Sequence, residues 1–150
     1  MPAINQPTKI EDGVVPNGVI ISKLAIIDEY LKKLQGYLPV SMEQFASDWG
    51  LQKITERSLQ VMIEVMIDIA ERIVAQKGMV PQKTATETIT KLHDLGITRN
   101  IEAYTKMVRF RNLVVHQYAS IKTEILYSIL KDNLKDFRMF IDEIQEYEGI

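Results

Sequence analysis

Arg111-Asn112-Leu113-Val114-Val115-His116-Gln117-Tyr118 brings an arginine, a histidine and a tyrosine together among otherwise mostly apolar residues. A guanidinium offers a planar fork of donors suited to phosphate oxygens, and an imidazole exchanges a proton near neutral pH. The pair therefore suits work on a phosphate. On a helix, Tyr118 lies seven residues after Arg111 and almost directly over it, while Asn112 and His116 stack at a spacing of four. Arg111 and His116 are then about 140° apart, so they cannot touch on a straight helix and are expected to converge across a groove or a symmetric interface. Arg109 lies near the Asn112 and His116 stripe and reads either as an exposed arginine or as a supplementary phosphate contact.

The elements that must hold this segment read as helices. From Val19, the apolar residues Ile20, Leu24, Ile27, Leu31, Leu34 and Leu38 alternate spacings of four and three, with Lys23, Asp28, Lys32 and Lys33 between them. Gly36 and Pro39 end that helix. Ser41-Met42-Glu43-Gln44 is a capping box for a short helical turn anchored by Phe45. Asp48 is expected to cap the longest helix, from about Trp49 to Lys77, which stops at Gly78. Its polar residues, Glu56 to Arg72, fall within an arc of about 160° and the remainder is nearly all apolar, so it is the central helix of a bundle. That acidic arc has two readings: a solvated face, or a surface from which Glu64 or Asp68 orients the Arg111 cation by charge-assisted hydrogen bonding.

Thr84-x-x-Glu87 opens a further short helix that Gly96 closes. His93 on it has no second histidine and no spaced acidic set around it, so it reads as a surface residue and no metal site is assigned. Thr98 is expected to cap the helix carrying the motif, from Arg99 to about Ala119. Tyr104, Met107, Val108, Phe110, Leu113, Val114 and Val115 cover most of its circumference and predict burial on several sides. Arg111 must then sit at a polar opening or a subunit boundary, because an unpaired internal charge is costly. Ser120 is expected to cap the last helix, Ile121 to about Tyr147, with Ile125, Ile129, Phe137, Phe140, Ile141 and Ile144 inward and Glu143, Glu146 and Glu148 as a solvated end. The fold class predicted is all-α: an up-down four-helix bundle with one or two additional short helices.

At 150 residues and 46% hydrophobic, the chain fits one domain that buries about two thirds of its unfolded surface. Residues 1–18, rich in proline and glycine among polar residues, read as a flexible arm, and residues 19–150 as the helical domain. The absence of cysteine removes disulfides and thiolate metal sites and agrees with a reducing cytoplasm. No leader pattern and no run of eighteen apolar residues is present, so secretion and membrane spanning are not expected. A net charge of -2 with mixed signs means that any nucleic-acid contact is a local basic pocket rather than a basic surface.

Arg111-Asn112, three apolar residues, then His116-Gln117-Tyr118 resembles the Arg-x4-His-x-Tyr signature of the HepT-type toxins of the HEPN superfamily. Glu56 to Glu64 with Ile67-Asp68-Ile69-Ala70 resembles that family's second long helix, Phe110-Arg111-Asn112 with Val115-His116 its catalytic helix, and Pro81 followed by a short helix also fits. The resemblance runs from about Val19 to the C-terminus. It implies a metal-independent endoribonuclease toxin that needs no cofactor, works as a homodimer with one Arg and His set from each subunit lining a shared cleft, and can enter a larger toxin–antitoxin hetero-oligomer. Arg111 and His116 would be catalytic. Asn112 would orient one of them or bond to the RNA substrate. Tyr118 would accept AMP from a separate nucleotidyltransferase antitoxin. The chain itself has neither a Gly-Ser start with a downstream Asp-x-Asp nor a phosphate-binding glycine loop, so nucleotide transfer is not its own activity. The competing reading is a non-catalytic helical partner or adaptor of a nucleotidyltransferase, in which the motif only shapes an interface.

Overall fold

The computed structural model describes residues 17–116 and 121–150. The elements are α1 (Gly18–Gln35), α2 (Met42–Ala46), α3 (Trp49–Gln76), α4 (Ala85–Asp94), α5 (Ile101–His116), α6 (Thr123–Ser128), a π-helical turn (Ile129–Asn133) and α7 (Leu134–Glu148). All are helical, as the sequence patterns predict, and α1, α3, α5 and α7 form the bundle. No described helix is long and apolar enough to cross a membrane.

The starts and stops follow local chemistry. Ser41 and Thr84 make complete capping boxes with Gln44 and Glu87, and the Asp48 carboxylate accepts from the Leu51 amide at the head of α3. Gly78 and Gly96 take φ of +70° and +76° just past α3 and α4, a backbone conformation that a side chain disfavours and glycine does not. The first helix begins earlier than the pattern predicts, because Asn17 caps it through the amides of Val19 and Ile20. Asn17 and Gly18 therefore belong to the domain rather than to the expected arm. The rest of that arm, residues 1–16, lies outside the described residues.

Three further expectations are corrected. Thr98 does not cap α5: it is buried, its hydroxyl has no partner among the described residues, and the Asn100 carbonyl accepts from the Tyr104 amide instead. The last helix is not one continuous rod from residue 121. It starts at Thr123 without a side-chain cap, and the π turn at Ile129–Asn133 divides it, so Ile125 lands on the outside, 44% exposed. Ser120 lies outside the described residues. Finally, Glu143 and Glu148 are buried, and only Glu146 of that acidic group is solvated.

The bundle's polarity follows from its side-chain links. Glu148 at the end of α7 accepts from the Asn17 amide at the start of α1. Lys23, early in α1, pairs with Asp68, late in α3. Arg99, just before α5, contacts Glu143 and Glu146 near the end of α7. One end of the molecule thus gathers the start of α1, the latter part of α3, the start of α5 and the end of α7. The other end gathers the start of α3 and the end of α5.

Candidate active site

Helix α5 is fixed at its first half and released at its second. The Glu143 carboxylate, 4% exposed, accepts from the Arg99 backbone amide at 3.1 Å, the Asn100 side-chain amide at 2.9 Å and the Tyr104 hydroxyl at 2.7 Å. Tyr104 is fully buried and meets Phe140 edge-on with ring centroids 5.3 Å apart. Burial first, and then the hydrogen bond to Glu143, raise the Tyr104 pKa well above the usual phenol value, so its hydroxyl stays a donor. Met107, Val108 and Phe110 continue the buried face. Beyond Phe110 none of the described residues of α5 is fully buried.

Arg111 follows Tyr104 by seven residues and so continues the inward stripe, about 20° from it in projection. It is half-buried, and its Nε is shut off from water without a hydrogen-bond partner among the described residues. An N–H left in that state costs about 1–3 kcal/mol. Asn112 is half-buried, and His116 and Arg109 are exposed on the outward side. Leu113 and Val115, expected to be buried, are 41% and 45% exposed. Leu113 stands about 180° from buried Tyr104 in projection, on the outer side of α5, while Val114 beside it packs against the core. Tyr118, on which an acceptor role was expected, lies outside the described residues.

Neither acidic candidate on α3 orients Arg111 within the protomer. Asp68 pairs with Lys23 of α1 and with Arg72 at 3.6 Å, and the Lys23 hydrogen bond holds its carboxyl below the usual carboxylate range. That places it toward the end of the bundle away from Arg111. Glu64 is exposed and accepts from Gln60, one turn earlier on its own helix, at 3.1 Å. The solvated-face reading fits Glu64, whereas half-buried Asp68 ties α3 to α1. His93 is an exposed residue of α4 with Nδ1 3.2 Å from the Thr98 carbonyl oxygen.

Two features escaped the sequence reading. Glu143 resembles its acidic neighbours in sequence, although Phe140 three residues before and Tyr147 four after place it beside the inner stripe of α7. Trp49 opens α3 as the pattern predicts, yet it is 71% exposed, an unusual position for the largest apolar side chain. Alongside these, a groove of about 380 Å³ lies between α3, α5 and the π turn with α7, and Leu59 and Ile63 meet Met107 and Phe110 in its wall.

Known proteins resemble this chain in sequence and fold. A family model described as ribonuclease HepT-like matches residues 27–144. An mRNA nuclease HepT of Shewanella oneidensis is 32% identical over 131 residues, 86% of this chain and 98% of that protein. A tRNA nuclease HepT of Aphanizomenon flos-aquae is 24% identical over 86% of this chain and 89% of its own length. Among solved structures, the tri-AMPylated Shewanella oneidensis HEPN toxin in complex with MNT antitoxin superposes with a TM-score of 0.79 at 30% identity, covering 87% of this chain and 98% of that one. The Bacillus subtilis protein YutE, at 16% identity and a TM-score of 0.74, covers 86% of this chain and 87% of its own and shares the fold.

Proposed function

This chain belongs to the HepT-like ribonuclease family, and from that premise we propose that it is the endoribonuclease toxin of a toxin–antitoxin pair, with Arg111 and His116 as its catalytic residues. The observation that carries the reading is the Arg111 guanidinium. It is half-buried and makes no ion pair or hydrogen bond with a described residue, so the cation is left without a counter-charge among them, and an incoming anion would supply one. A phosphate oxygen fits that donor in charge and in fork geometry.

The reaction follows from these groups. The ribose 2′-hydroxyl attacks the adjacent phosphorus, so an O2′–P bond forms while the P–O5′ bond breaks, leaving a cyclic phosphate and a free 5′-hydroxyl. An imidazole takes the 2′ proton and an imidazolium returns one to the departing 5′ oxygen. Arg111 stabilises the charge that builds on the non-bridging oxygens, and Asn112 orients substrate or imidazole. DNA lacks the attacking hydroxyl. Arg111 and His116 face about 140° apart on one helix, so the complete site forms when two copies meet near them, each giving one Arg and His set to a shared cleft. Exposed Leu113 and Val115 supply apolar surface for that contact.

Control of the enzyme is assigned to Tyr118. A nucleotidyltransferase antitoxin transfers AMP from ATP: a bond forms between the tyrosine oxygen and the α-phosphorus, the bond to the β-phosphate breaks, and pyrophosphate and the phenolic proton leave. The attached anion occupies the Arg111 donors and keeps RNA phosphate out.

The test incubates the purified chain with RNA in excess chelator. Cleavage with cyclic phosphate ends is expected, and intact RNA would refute the assignment. In parallel, intact-mass measurement with antitoxin, ATP and magnesium should show AMP on the unaltered protein and none on Tyr118→Phe; an adduct surviving that change moves neutralisation elsewhere.

A further inference from the structure

The only tryptophan in the chain, Trp49, projects 71% exposed from the first turn of α3. Lys53, one turn on, places its ammonium 5.8 Å from the indole centroid. An exposed indole beside a cation is the combination that holds single-stranded nucleic acid: the ring stacks on a base and the cation meets the neighbouring phosphate. Lys53 also stands 3.8 Å from the Glu56 carboxylate one turn on, a long, partly solvated pair that a phosphate can displace, and an indole this exposed contributes little to the core.

Its place in the fold brings it to the motif. Trp49, Lys53, Glu56, Gln60 and Ile63 follow one another by four, three, four and three residues and therefore share one side of α3. Ile63 lines the groove between α3 and α5, so this stripe runs along the solvent-facing edge of α3 next to α5. From Leu59 the helix continues about 15 Å to Trp49, and from Phe110 α5 continues about 9 Å in the same direction to His116. Trp49 and the Arg111 to His116 segment therefore lie at one end of the bundle, on adjoining faces.

We propose that Trp49 is a base-stacking platform, with Lys53 as its phosphate contact, that holds an unpaired nucleotide flanking the bond cut at Arg111 and His116. The inference rests on the ribonuclease reading of that site and adds to it a substrate class, single-stranded RNA. Stacking accepts any base, so the platform selects unpaired structure rather than a sequence.

Because Trp49 is the sole tryptophan, its fluorescence reports on it directly. A short mixed-sequence single-stranded RNA is titrated into the His116→Ala protein, and binding is followed in parallel by anisotropy of end-labelled RNA. Saturable quenching that tracks the anisotropy is expected, with no such quenching by a blunt RNA duplex. In the otherwise unaltered enzyme, Trp49→Ala should raise KM about 5- to 150-fold, the range of one lost stacking contact, with kcat kept and with Trp49→Phe recovering most of the loss. RNA bound by anisotropy without quenching would overturn the platform and leave the catalytic site standing. Emission that answers to dilution of the protein, or to added antitoxin, but not to RNA would make Trp49 a protein contact and overturn it as well. An unaltered protein that neither binds nor cuts RNA would remove the site and the platform together.

Discussion

The two halves of α5 are made of similar residues and held in opposite ways. Up to Phe110 the helix is locked, with its leading amide, Asn100 and Tyr104 all bonded to one buried carboxylate, Glu143, and Tyr104 packed on Phe140. From Arg111 onward the inward stripe carries a guanidinium whose Nε has no partner among the described residues, and apolar Leu113 and Val115 stand exposed. A rigid element anchored at one end and unsatisfied at the other is suited to presenting a site, because the anchor fixes direction while the far end carries a cation with no partner among the described residues. The contrast predicts that substitutions in the first half cost stability and those in the second cost activity.

The largest expected effect is at Arg111. Arg111→Ala should lower cleavage about 100- to 1000-fold, the usual consequence of removing one donor to a transition-state oxyanion, and Arg111→Lys should restore little because the planar fork is gone. Rate measurement on a defined RNA checks both. Full activity in Arg111→Lys would reduce the residue to a point charge.

Next is the anchor. Glu143→Ala leaves the buried Tyr104 hydroxyl and two part-buried donors, the Arg99 amide and the Asn100 side chain, without their acceptor and should destabilise the fold by about 3 kcal/mol, read as a lower urea midpoint. A midpoint unchanged within error would show that the first half of α5 is not held as described. Tyr104→Phe keeps the ring and removes one donor, for about 1 kcal/mol. It also carries a pH signature. The folded pKa of Tyr104 is raised, so the protonated phenol is the form the fold favours; its contribution is complete below the ordinary value of 10.0 and fades as pH rises above it. Stability of the unaltered protein should therefore fall above about pH 10 more steeply than that of Tyr104→Phe. The smallest effect belongs to Asp68 and Asp28. Lys23 lowers the first and Arg138 with Lys32 the second, so their help is present above the ordinary carboxylate value of 3.8 and lost as pH drops below it. Both pairs are partly solvated, so Asp68→Asn should cost only a few tenths of a kcal/mol, measurable as a small shift in urea midpoint at neutral pH and none in strong acid.

How far the sequence reveals this design depends on which physical signal each part leaves. Helix periodicity, the Ser41 and Thr84 capping boxes, the Asp48 cap and the glycines at positions 78 and 96 are local in sequence, and all appear as expected. The motif on α5 is equally local. What periodicity cannot carry is the identity of the neighbour across the bundle. Glu143 sits among glutamates that look alike in sequence, and only packing against Tyr104 and Asn100 makes it a buried acceptor. Asp68 looked like a partner for Arg111 because both project from long helices, but antiparallel packing sends it to Lys23. Leu113 reads as core because it is apolar, whereas its place about 180° from Tyr104 puts it on the outer side of α5.

The measurement that tests the central claim most directly sets cleavage rate beside urea midpoint for His116→Ala, with Glu143→Gln prepared alongside. His116 is exposed on the free half of α5, so the account predicts that His116→Ala loses cleavage about 100-fold or more at an unchanged midpoint, while Glu143→Gln lowers the midpoint and retains cleavage at temperatures where it stays folded. Retained cleavage in His116→Ala would contradict the assignment of chemistry to this end of the helix.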